Sequence, residues 1–314
     1  MARSPLVILG ANRPTGSNPF DDAAEAQSHA NTYDFLRTDQ LTNLATWVAT
    51  LRATNPDMFF IQYTHPTAIQ NKTGYASSSY YKDKTSNLKI GNQYGYWLLD
   101  FSQAGVRQTR ATTPAFQGAE LQSWATFITS DAGGPDYISD PYISWKDEAN
   151  KVADFGPDDG ANGNWVGWVD TFQTYWKSLH PAIPIFYNSG PNSQARYDPW
   201  KAQHDQFLAT CGAVELELFA WNNAPLPENT WKWQIDFINT QVALGRYILT
   251  GPPPVSGTTY TAAQIRRFRF ASYMMVADGQ RVLLEIKHSQ SQEGYDAAIH
   301  DLAFGTVYPG VNGG

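Results

Sequence analysis

The sequence predicts an α/β fold: a single (β/α)8 barrel over residues 1–314 with long strand-to-helix loops. Three observations predict it. Eight short apolar, β-branched or aromatic runs alternate with amphipathic stretches, the pattern of a parallel sheet. The count of eight matches a closed ring, the TIM barrel. The connections are also asymmetric, short before each strand and long after it. With 42% hydrophobic and 16% charged residues, the 314-residue chain can bury a core of that size.

In order, strands are expected at 6–9, 58–63, 96–101, 136–140, 183–188, 214–220, 246–249 and 281–288. The first helix, 41–51, places Leu41, Leu44, Trp47, Val48 and Leu51 on one face. Helices over 121–128, 165–179, 231–244 and 262–276 follow the same periodicity. Turn residues close the helix-to-strand links at Asn55-Pro56-Asp57, Gly133-Gly134-Pro135, His180-Pro181, Gly212, Gly245 and Asp278-Gly279. The links after strands run through 13–37, 64–95, 102–116, 141–163, 189–201, 221–229 and 250–260. Barrels of this type build their active sites from those loops. Pro252-Pro253-Pro254 reads as a stiff loop after the seventh strand, so no domain break is expected.

Composition narrows the function. Net charge is −7 and the basic residues look scattered, so neither nucleic acid nor an anionic membrane is an expected partner. Cys211 is the one cysteine, which excludes an intrachain disulfide and a cysteine-rich metal site. No apolar stretch reaches the roughly 20 residues of a spanning helix. Met1 leads almost at once into a strand-like run, so no signal peptide is expected, and the compartment stays open; extracellular or virion-associated action is compatible. Aromatic residues reach 14%, and many, such as Tyr75, Tyr96 and Trp145, sit in polar segments. Rings in such loops suit the apolar C–H faces of sugars, although they also pack beneath long loops.

Two runs end on carboxylates: Asp136-Tyr137-Ile138-Ser139-Asp140 and Val214-Glu215-Leu216-Glu217-Leu218-Phe219. An uncompensated acid in a dry interior costs several kcal/mol or titrates to neutrality, so two such strands point to chemistry. Side chains alternate along a strand, which puts Glu215 and Glu217 on one face and Val214, Leu216 and Leu218 on the other. Glu217 is expected at the open end, with Glu215 deeper and paired to a cation such as Lys287. Asp140 is expected at the rim, as a catalyst or as a turn cap. Asp100 and Glu285 are further acids, Asp100 as a hydroxyl binder or turn residue. Tyr187 and Asn188 close the fifth strand between the two acids; with Tyr63, Trp145 and Trp221 they are the expected substrate contacts.

Competing chemistries lack their residues. No His-x-His follows the first strand, where Gly10-Ala11-Asn12-Arg13 stands, and the six histidines are dispersed. No Gly-x-Ser-x-Gly elbow and no glycine-rich phosphate loop occurs. Asp158–Asn164 misses two ligands of a calcium loop and reads as a solvated turn. No metal or cofactor is expected.

The order of features resembles glycoside-hydrolase barrels related to the α-galactosidase superfamily and to endo-α-1,4-polygalactosaminidases. Residues 136–140 resemble the fourth strand of those families, with Tyr137 in place of their glycine and the two aspartates one residue closer. The Asp/Gly/Asn-rich 154–164, the Trp-containing helix 165–179, Tyr187-Asn188-Ser189-Gly190 and 214–219 follow in the same order. The resemblance implies a retaining glycosidase with Asp140 as nucleophile and Glu217 as general acid/base. Its substrate would be a polysaccharide or glycoconjugate. The alternative is a barrel that binds glycans within a larger assembly without cleaving them. An enzyme using Asp100 or Glu285 is a third reading.

Overall fold

The computed structural model describes residues 9–12, 20, 22–38, 41–64, 68–70, 72–92, 95–111, 118–121, 145–151, 153, 165–188, 191–221, 224–251 and 260–287. Its strands are β1 (Leu9–Asn12), β2 (Phe35–Thr38), β3 (Phe59–Thr64), β4 (Ala68–Ile69), β5 (Ile90–Asn92), β6 (Trp97–Leu98), β7 (Gly118–Leu121), β8 (Trp145–Asp147), β9 (Ile185–Tyr187), β10 (Gly212–Leu216), β11 (Tyr247–Thr250) and β12 (Val282–Lys287). Its helices are α1 (Ala23–Thr32), α2 (Leu41–Thr54), α3 (Ala104–Arg110), α4 (Trp165–Leu179), α5 (Gln194–Tyr197), α6 (Lys201–Cys211), α7 (Glu228–Ala243) and α8 (Ala262–Met274). The chain divides into two compact units, residues 1–58, 218–243 and 250–314, and residues 59–217 and 244–249.

In the first unit β1 pairs in parallel with β12 on one side and β2 on the other. Helix α1 starts where the Asp22 side chain accepts from the Glu25 amide, and it packs its buried Ala26, His29 and Ala30 toward α2. A capping box formed by Thr261 and Gln264 starts α8.

In the second unit β3 pairs with β7, β7 with β9, and β9 with β10, all parallel. The place between β3 and β9 therefore belongs to Gly118–Leu121. Residues 136–140, expected to form that strand, lie outside the described residues, Asp140 among them. The 96–101 run is also placed differently. Trp97–Leu98 lies in an antiparallel sheet of order β4-β6-β5-β8, inserted around the long link after β3.

Two layers flank the parallel strands of the second unit. Tyr187 of β9 is fully buried against α6, its ring edge-on to Phe207 and its hydroxyl 3.3 Å from His204 Nδ1. Phe186 points the other way. It meets Phe59 of β3 and Tyr247 of β11 at 6.4 Å each, and Phe59 and Tyr247 stack at 6.3 Å. These rings come from the first or second residue of their strands, so they fill the N-terminal end of the face turned away from the helices.

Candidate active site

Strand register places the acids. Val214 pairs with Tyr187 and Ala213 with Phe186, so Glu215 lies on the helix-free face, two residues beyond the aromatic layer. At strand rise that is about 6–7 Å further along. Its side chain is 1% exposed. The strand ends at Leu216, and Glu217 stands exposed in the turn that follows. One carboxylate is thus held inside the sheet while the next reaches solvent at its C-terminal end.

A third acid escaped the sequence reading. Glu120 of β7 pairs in register with Tyr63 on one side and Phe186 on the other. Gly-Ala-Glu-Leu is too short and too weakly β-forming to announce a strand. The signal available was a carboxylate just before the apolar run at 121–128. The side chains of Tyr63 and Trp145 lie outside the described residues; Tyr63 holds its place in β3, and Trp145 pairs with Asn92 at the edge of the small sheet.

Three expected contacts are placed in other roles. Tyr187 faces α6, because it pairs with Val214, whose side chain alternates away from that of Glu215. Asp100 sits in a turn, where its carboxylate accepts from the Ser102 amide at 3.0 Å and the Gln103 side-chain amide at 2.9 Å. That is the turn-forming role of Asp, and Asp100 leads into α3 rather than toward a strand mouth. Trp221 is 1% exposed, packed edge-on to Tyr260 at 5.0 Å and near Phe268 at 6.1 Å. Asn188 follows β9 directly and is half-buried.

In the first unit the polar residues form a buried brace. Arg37 of β2 donates to Glu285 of β12 at 2.8 Å, and both side chains are almost inaccessible. Gly10 of β1 pairs with Glu285 and Phe35, and Arg37 pairs with Asn12 two residues further along β1. Arg269 of α8, fully buried, donates to the backbone carbonyls of Phe219, Glu285 and Gly251. Burial pushes its guanidinium down to about 9 against the pull of Glu285, so it remains charged at neutral pH. Arg269 thereby fixes the loop after β10 and the exit of β11 to β12.

The same loop is held from α7. Gln234 accepts from the Ala220 amide at 2.8 Å and donates to the Leu218 carbonyl at 3.1 Å. Ala220 has φ +61°, a left-handed conformation that an alanine keeps only when its surroundings impose it. Residues 218–221 are therefore rigid. Among the described residues no group of three or more His, Cys, Asp or Glu could hold a metal ion, and no helix is long and apolar enough to cross a membrane.

No family model matches the chain, and no curated protein matches it. Solved structures do. A thermostable mutant of a xylanase (Xyn10A) from Cellvibrio japonicus aligns with TM-score 0.51 at 11% identity, over 90% of this chain and 86% of that one. A family 39 glycoside hydrolase from Bacteroides cellulosilyticus WH2 aligns at 0.51 and 9%, over 94% and 59%. The noncanonic maltogenic α-amylase AmyB from Thermotoga neapolitana aligns at 0.50 and 10%, over 94% and 70%. These neighbours are TIM-barrel glycoside hydrolases, and at such identities the likeness is one of fold.

Proposed function

We propose that the chain is a glycoside hydrolase built as one (β/α)8 barrel, cleaving a polysaccharide or glycoconjugate by a retaining, two-carboxylate mechanism. The observation that carries the reading is the exposed Glu217 directly after β10, on a strand whose preceding Glu215 is buried. A solvent-reachable carboxylate on a rigid strand end is what protonation of a leaving oxygen requires.

Glu217 acts as general acid and then as the base that activates water. Asp140 attacks the anomeric carbon in the reading that the resemblance implies. The register of β7 favours a second assignment, in which Glu120 supplies the partner carboxylate, because β7 occupies the place beside β9. Arg269 and Gln234 are positioning residues that fix the loop following Glu217. Asn188, with Tyr63 and Trp145, would contact the sugar.

Reducing-end release from a panel of neutral and acidic polysaccharides tests this. Glu217→Gln should lower kcat by about a thousandfold or more, as removal of a catalytic carboxylate does. Asp140→Asn and Glu120→Gln should divide, one falling equally far and the other staying within about tenfold. Wild-type protein that binds glycans without releasing reducing ends would favour the noncatalytic barrel. Activity surviving in Glu217→Gln would remove Glu217 from the chemistry.

A further inference from the structure

The small sheet β4-β6-β5-β8 carries a feature that the overall charge conceals. Directly opposed residues in an antiparallel sheet share a face. Ile69, Trp97, Gly91 and Lys146 form one row across the four strands, and the opposite face carries the buried Leu98, Ile90 and Asp147. The first row faces outward. At its centre Gly91 leaves room for the Trp97 indole: a Cβ there would lie 2.9 Å from the ring atoms Cδ2 and Cε3. The half-buried indole thus lies flat across β5.

One ammonium lies over it: Lys72 Nζ stands 5.3 Å from the Trp97 ring centroid. Lys146 occupies the same row on β8. Lys89, just before β5, places its Nζ over the neighbouring Tyr80 ring, 4.3 Å from the centroid. Lys82 bridges to Lys89 from the neighbouring segment. Lys89 also donates to the Lys72 carbonyl at 2.9 Å, tying that segment to the sheet. Of the nearby acids, the exposed Glu148 accepts from the Lys89 amide at 3.3 Å, and two others are turned inward. Asp147 is buried and accepts from the Ser86 hydroxyl and the Ala149 and Lys151 amides. Asp83 is buried and accepts from the Thr85 and Ser86 amides. Six of the ten lysines in the chain fall between residues 72 and 151.

We propose that this face binds a polysaccharide whose sugars carry carboxylates, stacking a sugar ring on Trp97 and pairing acid groups with Lys72, Lys146 and Lys89. The proposal deepens the glycoside-hydrolase reading and rests on it for the class of partner. A flat ring takes the C–H face of a sugar, and ammonium groups a few ångströms from its rim take the charge. A uronic-acid polymer offers about one charge per sugar, a density that a molecule of net −7 can approach. Nucleic acid carries one charge per roughly 1.7 Å of duplex and meets far stronger repulsion from the remainder of the chain.

Affinity electrophoresis of the full chain through gels containing sodium polygalacturonate tests the proposal, with soluble starch, dextran sulfate and a single-stranded oligonucleotide as parallel probes. Polygalacturonate should retard the protein, and starch should not. The double variant Lys72→Gln/Lys146→Gln should weaken retardation roughly tenfold, the worth of two surface ion pairs. Trp97→Ala should weaken it as well, and Trp97→Phe should keep most of it. Absent retardation, equal retardation of the lysine double variant, or tighter binding of the oligonucleotide or dextran sulfate would each overturn the proposal. Repeating the assay with Glu217→Gln separates it from the catalytic reading. Retardation of a wild-type protein that hydrolyses nothing keeps this surface and removes the enzyme; hydrolysis of starch without retardation by polygalacturonate does the reverse.

Discussion

At the scale of single residues, the buried charges decide most. Arg37 and Glu285 were taken out of water together, and each compensates the other inside the first unit. Arg37→Met should cost about 3–5 kcal/mol in urea unfolding, because it leaves the Glu285 carboxylate buried beside an apolar chain. His204 makes a different prediction. Burial holds its imidazole down to about 3 from 6.5, with Asp205 pulling the other way. The Tyr187 hydroxyl and the stacked Tyr197 ring also face it. Between about pH 6.5 and 3 the unfolded chain binds a proton at this position that the folded chain refuses. Stability should therefore fall as the pH drops through that window and be level above it. His204→Gln should flatten the acid limb of a stability–pH curve measured by denaturant titration; an unchanged slope would remove His204 as its source. Of these residues only Glu285 stood out in the sequence. Arg37 did not, since an arginine in a four-residue strand looks like loop until its partner, 248 positions away, is placed beside it.

At the scale of elements, long periodic segments were legible and short strands were not. The helix expected at 165–179 is α4, and those expected at 41–51, 231–244 and 262–276 are α2, α7 and α8 with shifted ends. The apolar runs at 183–188 and 281–288 contain β9 and β12, and those at 214–220 and 246–249 overlap β10 and β11 with shifted ends. β2 and β7 were missed, because four residues with a charge among them give no alternation to count. The run at 96–101 misled for the opposite reason: its apolar residues serve the inner face of the small sheet, which also needs them. Expected contacts failed by the same logic, as Tyr187 and Trp221 are rings that the core required. The loop after β10 yields a prediction here. Gln234→Ala removes the hydrogen bonds to the Ala220 amide and the Leu218 carbonyl and should destabilise by about 1–3 kcal/mol in urea unfolding. If Glu217 is catalytic, kcat should fall in the same variant while the Glu217 carboxylate is intact.

At the scale of the whole molecule, a fold shared with xylanase, amylase and family 39 structures sets an architecture and no reaction; in the proposed reading the acids at strand ends supply it. A retaining mechanism requires carboxyl groups about 5–5.5 Å apart, and an inverting one about 6.5–9.5 Å. The first sugar released should therefore keep its anomeric configuration when followed by proton NMR during hydrolysis; inversion would require a water between Glu217 and its partner. The tie between Gln234 and Ala220 also reaches into time. A backbone turn whose shape is dictated by a side chain 14 positions later cannot settle until α7 has formed. The turn that follows β10 is thereby scheduled to mature late, after a helix that lies beyond it in the chain.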